Sequence, residues 1–140
     1  MIFNKIFKKP SNKAFTPGDR IHPFTLITHT GAEYEYGPET RSKLMLYFFP
    51  NAWSDTSKEQ ILSIENNYNR FLRFNFVPLC ITTDTPASIK TWAKTLSLRN
   101  VRILSDFWPH GYVTNSFGIL NRHRGCPEHA IIIIDDDMTI

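Results

Sequence analysis

Oxygen-bearing side chains follow a proline in the segment "FFPNAWSDTSKEQ", residues 48 to 60. Ser54, Thr56 and Ser57 come shortly after Pro50, where an apolar run ends and a helical pattern begins. The first turn of a helix presents free backbone N–H groups and stabilises negative charge, which suits a nucleophile that has to carry such a charge. The segment is therefore arranged like a thiol active site, but it contains no cysteine.

Two cysteines and two histidines are the other candidates for chemistry. Cys80 lies in the apolar run "FVPLCIT" and is interpreted as a small buried side chain. Cys126 follows basic residues, so a displaced redox thiol is one interpretation of it. The spacing His123-x-x-Cys126-x-x-His129 permits three metal ligands in one loop, but the rest of a closed site is missing. Ser57 with His129 would make a hydrolase pair, for which the sequence shows no glycine-rich elbow and no third member. We expect no cofactor and no metal.

Composition limits the fold and its partners. The chain has 140 residues, of which 41% are hydrophobic and 14% aromatic, enough for one domain with a sizeable core. The net charge is +3, yet four lysines and no acid lie in the first 13 residues. Without those four lysines, 12 of the 16 basic residues remain against 13 acidic ones. We therefore expect no nucleic-acid-binding face on the folded body.

The N-terminal segment "MIFNKIFKKPSNK" differs in character from the rest. We predict a basic tail over residues 1–15 and a single domain over residues 16–140. The tail is too short and too interrupted for a secretory signal, and it lacks the arginines of a transit peptide. A frayed terminus is the simplest expectation. The alternative is a peptide that docks on an acidic partner or, through residues 1–9, makes weak contact with a membrane surface.

The strand pattern predicts an α/β sandwich. Residues 22–36 have the pattern of a β-hairpin with its turn near Thr30-Gly31. Nearly continuous apolar runs at 43–49, 76–82 and 130–135 predict strands that are covered on both faces, and hence a mostly parallel central sheet. After "DDDM" a further strand and a covering helix are expected, but the sequence stops at Ile140, so we expect an uncovered apolar face.

Helices are predicted between these strands. The first runs over Thr56–Leu72, with Thr56 and Glu59 as its capping box. The second begins at Thr85-Pro86, where a capping threonine precedes proline. A short strand at 101–104 and a short helix closed by Gly118 complete the order. The connections between parallel strands should be right-handed.

Three stretches, "PGDRIHPFTL", "LMLYFFPNAWSDTS" and "LSDFWPHGYVTNSFGIL", together resemble a peroxiredoxin. These are thioredoxin-fold thiol peroxidases of the alkyl hydroperoxide reductase/thiol-specific antioxidant (AhpC/TSA) superfamily. The resemblance covers residues 16–140, and the third stretch is most similar to the one-cysteine alkyl hydroperoxide reductase E type. It implies a thioredoxin-like sandwich and, for the family, thiol-dependent reduction of hydroperoxides. Trp108 and His110 in that stretch are expected to serve packing and turn formation.

The family's active-site motif is P-x-x-x-T/S-x-x-C, and the resemblance carries it onto this sequence with one change. Pro50 takes the shielding proline position, and Ser54 takes the position that hydrogen-bonds the peroxide. Ser57 then stands where the family has its peroxidatic cysteine. A one-residue deletion in the loop would place Thr56 there instead, and neither alignment supplies a thiol.

The resemblance also assigns further positions. His129, just before the last apolar run, stands where the family has an arginine that steadies the thiolate, and Gln60 stands where an acid is usual. Trp53 and Thr56 are expected to line the pocket, and Trp53 is also a candidate for a contact between subunits. Because two departures accompany the serine, natural loss is favoured over a single designed substitution.

Serine changes what such a site can do. A cysteine pKa of about 8.5 can fall to neutrality or below at a helix N-terminus beside a cation. A serine hydroxyl is less acidic than that of tyrosine, at about 10, and a helix N-terminus contributes only about 1 kcal/mol, which is less than one pKa unit. We therefore predict an inactive scaffold or binding component. The alternative is a thiol peroxidase, in an inactive cysteine-to-serine form or using Cys126.

Partners and compartment follow from the same reasoning. A protein partner or self-association is expected, and a hydroperoxide with a thiol reductant only if activity remains. Two unpaired cysteines suit a reducing intracellular compartment. The cytoplasm is the favoured location, and the periphery of a membrane or a larger complex is the alternative.

Overall fold

The computed structural model describes residues 14–40 and 42–140, whose strands form a six-stranded sheet and a separate two-stranded one. The strands are β1 (Phe24–Thr28), β2 (Glu33–Tyr36), β3 (Lys43–Phe48), β4 (Phe76–Thr82), β5 (Arg102–Ser105), β6 (Leu120–Asn121), β7 (Cys126–Pro127) and β8 (Ala130–Ile134). The helices are α1 (Asp55–Asn66), α2 (Tyr68–Arg73), α3 (Pro86–Thr95) and α4 (Tyr112–Ser116). The large sheet has the order β2-β1-β5-β4-β3-β8, and β6 pairs with β7.

The predicted α/β sandwich is confirmed. Strands β3, β4 and β5 are parallel, and the hairpin β1–β2 joins them through an antiparallel pairing of β1 with β5. The parallel part is confined to these three central strands, because β8 also pairs antiparallel with β3. Gly31 has a φ of +92° in the hairpin turn, a conformation that glycine adopts without strain.

Strand β8 corrects one prediction. The run at 130–135 was expected to be covered on both faces, but β8 is an edge strand with one open face. Ile134 is buried in the core and Ile132 packs against it. Ile131 and Ile133, which point to the opposite face, are 58% and 45% exposed. An apolar run alone cannot show that a strand lies at the edge of a sheet.

Helix α1 also differs from its prediction at both ends. The capping box of Thr56 and Glu59 is wrong, because Ser54 is the N-cap and its Oγ accepts the N–H of Ser57 at 3.1 Å. The helix does not run unbroken to residue 72. It ends at Asn66, and the C-cap residue Asn67 donates its side-chain amide to the Ser63 carbonyl at 2.8 Å, which competes with the helical backbone.

Two apolar clusters fill the two sides of the sheet. One includes β1, the inner face of β8 and Phe117, and the other joins the opposite sheet face to α1 and α3. Cys80 is fully buried in the second cluster, as the sequence predicts. Thr85 caps α3 as predicted, since its Oγ accepts the N–H of Ser88 at 3.2 Å.

The predicted tail over residues 1–15 falls almost entirely on residues 1–13, which lie outside the described residues. Phe15, at the end of that predicted tail, contacts the Phe117 ring with a centroid distance of 5.4 Å. No helix in the described part of the chain is long and apolar enough to cross a bilayer.

Candidate active site

The turn after β3 positions the candidate site. Pro50 is buried, and the chain then turns through Trp53, whose φ of 70° is unusual for a residue with a side chain. The N–H of Ala52 donates to the Asp84 carboxylate at 2.6 Å, which ties the turn to the loop after β4. This tie, made between residues distant in sequence, holds the turn that precedes α1 against the loop after β4.

Ser57 is enclosed in the first turn of α1. Its side chain is 0% exposed, and its backbone N–H is used by the Ser54 cap. The Ser57 Oγ has no hydrogen-bonding partner among the described residues. A buried hydroxyl without a partner costs about 1–3 kcal/mol. A thiol is a weaker donor and acceptor, so the surroundings of Ser57 suit sulfur better than oxygen.

Tyr47 lies next to this hydroxyl and was not identified from the sequence. Burial raises the pKa of Tyr47, and the neighbouring Ser57 side chain opposes that rise in part. The two hydroxyls nevertheless fall outside hydrogen-bonding geometry, which leaves Ser57 unpartnered. In the sequence Tyr47 was only one member of an apolar strand. One feature of the sequence could have identified Tyr47. A tyrosine in a strand predicted to be buried on both faces needs a hydrogen-bonding partner for its hydroxyl.

His129 provides that partner. The Tyr47 hydroxyl and His129 Nδ1 are 3.1 Å apart, and the two rings stack with centroids 6.2 Å apart. The loop before β8 therefore places His129 beside a neighbour of Ser57, in the region where the resemblance puts the arginine. A hydrolase pair of Ser57 and His129 is not formed, because the Ser57 hydroxyl has no partner.

The remaining residues of the predicted site lie around this centre. Ser54 acts as the helix cap, which occupies its Oγ as an acceptor. Thr56 is exposed, and Trp53 is 53% exposed while its ring lies 6.4 Å from that of Trp92. Of the two possible alignments, only the one with Ser57 at the cysteine position places the residue in an enclosed site.

Cys126 lies in the wall of a neighbouring cavity of about 470 Å³. The cavity is also lined by Pro50, Asp84, His110 and Arg124. Cys126 is half-buried there as a free thiol, so the displaced-thiol interpretation has a place in the structure. The cavity brings this thiol and the turn after Pro50 to one concave surface.

The metal interpretation of this loop is not supported. His123, Cys126 and His129 do not bring their ligand atoms together. Within the described ranges, the possible metal ligands whose atoms do lie close together are the exposed carboxylates of Asp135, Asp136 and Asp137. Exposed neighbouring carboxylates of this kind are common in proteins that bind no ion.

A buried carboxylate shapes the loop that faces the cavity. Asp106 is 1% exposed and accepts the N–H and the hydroxyl of Thr114, both at 2.7 Å, and more weakly the N–H of Val113. Burial raises the pKa of Asp106 in spite of these hydrogen bonds. The packing role expected for Trp108 is wrong, because that side chain is 80% exposed. Tyr112, at the start of α4, is 70% exposed.

Comparison with known proteins shows which family this chain is similar to. Residues 17–140 match the AhpC/TSA family. Alkyl hydroperoxide reductase E of Mycobacterium tuberculosis is 29% identical over 92 residues, which are 66% of this chain and 60% of that protein. The matched region thus spans less than two thirds of that relative's length.

Solved structures share the fold. The peroxidoxin BcpB from Mycobacterium tuberculosis aligns with a TM-score of 0.77 at 21% identity, over 89% of this chain and 82% of that one. A PrxQ mutant from Xylella fastidiosa that carries a cysteine-to-serine substitution aligns with a TM-score of 0.80 at 17% identity, over 91% and 84%. At these identities the likeness establishes the architecture alone.

Proposed function

The chain belongs to the AhpC/TSA family of peroxiredoxins, and we propose that it is a member without peroxidase activity that acts by binding a protein partner or a second copy of itself. The observation that carries the proposal is the buried Ser57, whose hydroxyl has no partner among the described residues. The side chain at this position is enclosed like that of a catalytic residue, but it carries oxygen in place of sulfur.

The chemistry of the family explains why the difference between sulfur and oxygen matters. A thiolate attacks one oxygen of the peroxide, so that an S–O bond forms as the O–O bond breaks. The sulfur is oxidised to a sulfenic acid that stays on the protein, and the leaving hydroxide or alkoxide takes up a proton and departs as water or an alcohol. A thiol reductant then restores the sulfur. The Ser57 oxygen can neither ionise at neutral pH nor pass through these oxidation states. Under this proposal Pro50 and Ser54 maintain the turn, and His129 stays paired with Tyr47.

Exposed aromatic side chains support a binding role. Around the turn and the neighbouring loop, Trp53, Phe107, Trp108 and Tyr112 are each between 42% and 80% exposed. Aromatic residues are enriched in the cores of protein interfaces, where one partner removes them from water. We propose that the domain over residues 16–140 presents this surface, with residues 1–15 as a separate tail.

A thiol peroxidase that uses Cys126 is the second candidate. The observation that favours it is the cavity of about 470 Å³ whose wall Cys126 shares with Pro50 and Arg124, because a hydroperoxide could reach a free thiol there. Cys126 would then attack the hydroperoxide and a thiol reductant would recycle it. In the related alternative, Ser57 replaces the attacking cysteine, Pro50 shields it and His129 takes the place of the arginine.

A panel of four proteins tests the proposal. Hydroperoxide loss in the presence of a thiol reductant is measured for the unaltered chain, Ser57→Cys, Thr56→Cys and Cys126→Ser. We expect activity only from Ser57→Cys, because that substitution puts sulfur in the enclosed position. Thr56→Cys is the matched control, since it adds a thiol one residue away at an exposed site.

The panel also identifies the alternatives. If the unaltered chain turns over peroxide and Cys126→Ser abolishes that turnover, the second candidate is correct and the proposal is wrong. If Ser57→Cys and Thr56→Cys are equally active, enclosure at Ser57 has no catalytic meaning. If Ser57→Cys is inactive although it folds, the site has lost more than its thiol.

A further inference from the structure

The hairpin β1–β2 is attached to the rest of the sheet along one side of β5. In the described part of the chain this pairing is short, covering two residues of each strand. The last of these pairs is Thr28 with Leu104, so His29 stands opposite Ile103 in the same antiparallel register. The His29 N–H donates to the Ile103 carbonyl at 2.8 Å, as a regular ladder requires.

The return hydrogen bond of this pair is made by a side chain. In a regular antiparallel ladder the Ile103 N–H would donate to the His29 carbonyl. It donates instead to the ring nitrogen Nδ1 of His29, at 3.1 Å. The chain turns at this point, where the Gly31 N–H donates to the Thr28 carbonyl at 2.9 Å. A group that binds a proton near neutral pH therefore stands where a ladder normally has a carbonyl, which does not.

We propose that His29 is an acid-sensitive switch, which holds the hairpin β1–β2 on β5 while its ring is neutral and releases it when Nδ1 takes up a proton. A neutral imidazole has one nitrogen that accepts a hydrogen bond, whereas both nitrogens of the protonated ring are donors. Protonation of Nδ1 would therefore bring two N–H groups, those of His29 and Ile103, against each other. Ile103 is fully buried, so water does not readily replace the lost acceptor.

The surroundings of His29 favour the neutral ring. Burial lowers the pKa of His29, and the Arg102 guanidinium on β5 acts in the same direction. The Glu65 carboxylate on α1 opposes them, but it already accepts the backbone N–H groups of residues 99–101. The nearest acid along the hairpin is Glu33, the first residue of β2.

The direction of the switch follows from that lowered pKa. Because the folded pKa of His29 is below its ordinary value of about 6.5, the stabilisation is present above the ordinary value and is lost as the pH falls through the folded one. Release would uncover the outer edge of β5. An uncovered strand edge can pair with a strand of another chain, so acid would present a surface that the protein keeps covered at neutral pH.

Hydrogen exchange on the full chain tests the proposal without depending on chemistry at Ser57. Protection of the Ile103 amide, corrected for the intrinsic effect of pH, is measured near pH 7.5 and near pH 5. The test variant is His29→Asn, because an amide oxygen can accept the Ile103 N–H and does not titrate. His22→Asn is the matched control, at an exposed histidine.

The unaltered chain and the control should lose protection of the Ile103 amide by roughly tenfold at the lower pH, because a released imidazole with a pKa of about 6.5 is protonated there. In His29→Asn the protection should stay constant. Constant protection in the unaltered chain, or an equal loss in His29→Asn, would overturn the proposal. An equal loss at the amides of β4 would also overturn it, since acid would then open the whole sheet.

The ring itself provides a second measurement, which needs no variant. Nitrogen NMR of the unaltered chain near pH 7.5 should show the His29 tautomer that carries its proton on Nε2, because only that tautomer accepts a hydrogen bond at Nδ1. A proton on Nδ1 at this pH would contradict the proposed role of the ring.

Discussion

Under the proposed function, the identity of one atom of Ser57 decides the chemistry, because the protein encloses that side chain completely. The resemblance to the family motif assigned Ser57 to the position of the reactive cysteine, counted from Pro50. It could not show that the hydroxyl would be buried without a partner, since that depends on how α1 packs over β3. Nor could it show the Tyr47–His129 pair, which joins two residues 82 positions apart.

Removing the Ser57 hydroxyl should stabilise the protein. We expect Ser57→Ala and Ser57→Cys each to raise the free energy of unfolding by about 1 kcal/mol, because neither leaves a strong buried donor unpartnered. Urea unfolding measures the effect, and Thr56→Ala, at an exposed position, serves as the control. A loss of 1 kcal/mol or more in Ser57→Ala would show that the hydroxyl is satisfied in solution.

Glu65 should make stability depend on pH. Partial burial acts to raise the pKa of Glu65, but hydrogen bonds from Val101, Asn100 and Arg99 outweigh it and hold the pKa below its usual value. Because the folded pKa is the lower one, this stabilisation is present above the unfolded pKa and is lost as the pH falls through the folded pKa.

We therefore expect Glu65→Gln to lower the free energy of unfolding at pH 7 by about 1 kcal/mol, a value discounted for the partial exposure of the group. Near pH 3 the difference from the unaltered chain should shrink. Urea unfolding at the two pH values measures it. A difference that does not change between them would mean that the charge of Glu65 is not involved.

At the scale of elements, the apolar runs identified the main strands, and the threonine–proline signal identified the start of α3. The start of α1 was assigned to the wrong cap, because Ser54 and Thr56 both have side chains that cap helices. The structure decides between them through the Ser54 Oγ, which accepts the N–H of Ser57, and the local sequence fits either residue in that role. The edge position of β8 was missed for a similar reason, since strand order is a property of the whole sheet.

The cap can be tested directly. Ser54→Ala should lower the free energy of unfolding by about 1 kcal/mol, because the first turn of α1 loses its side-chain acceptor. Thr56→Ala should change it by less than about 0.5 kcal/mol, as is usual for an exposed position. Thermal unfolding of the two variants compares the effects, and a larger loss in Thr56→Ala would contradict the assignment of the cap.

At the scale of the whole molecule, the family scaffold is retained while large apolar side chains face the solvent. The sequence predicted the fold class. It did not predict that Trp108 would be 80% exposed, because an aromatic residue in a loop is equally compatible with packing and with a contact surface. Aromatic side chains are enriched in the cores of protein interfaces, where a partner removes them from water.

Self-association through this surface leads to a further prediction. We expect the unaltered chain, whose mass is 16.3 kDa, to sediment as a larger species, and Trp108→Ser to shift it toward the monomer. Phe74→Ser is the matched control, because it also replaces a strongly exposed aromatic side chain, away from the active-site turn. A monomer at every concentration would leave binding of a different protein as the proposed role.

The steady-state rate of hydrogen peroxide loss, measured with the purified, unaltered protein and a thiol reductant, tests the central claim most directly. The account predicts a rate equal to that of the reductant alone, since oxygen at Ser57 cannot cycle through the oxidation states of sulfur. Loss of many equivalents of peroxide per chain above that background would contradict it.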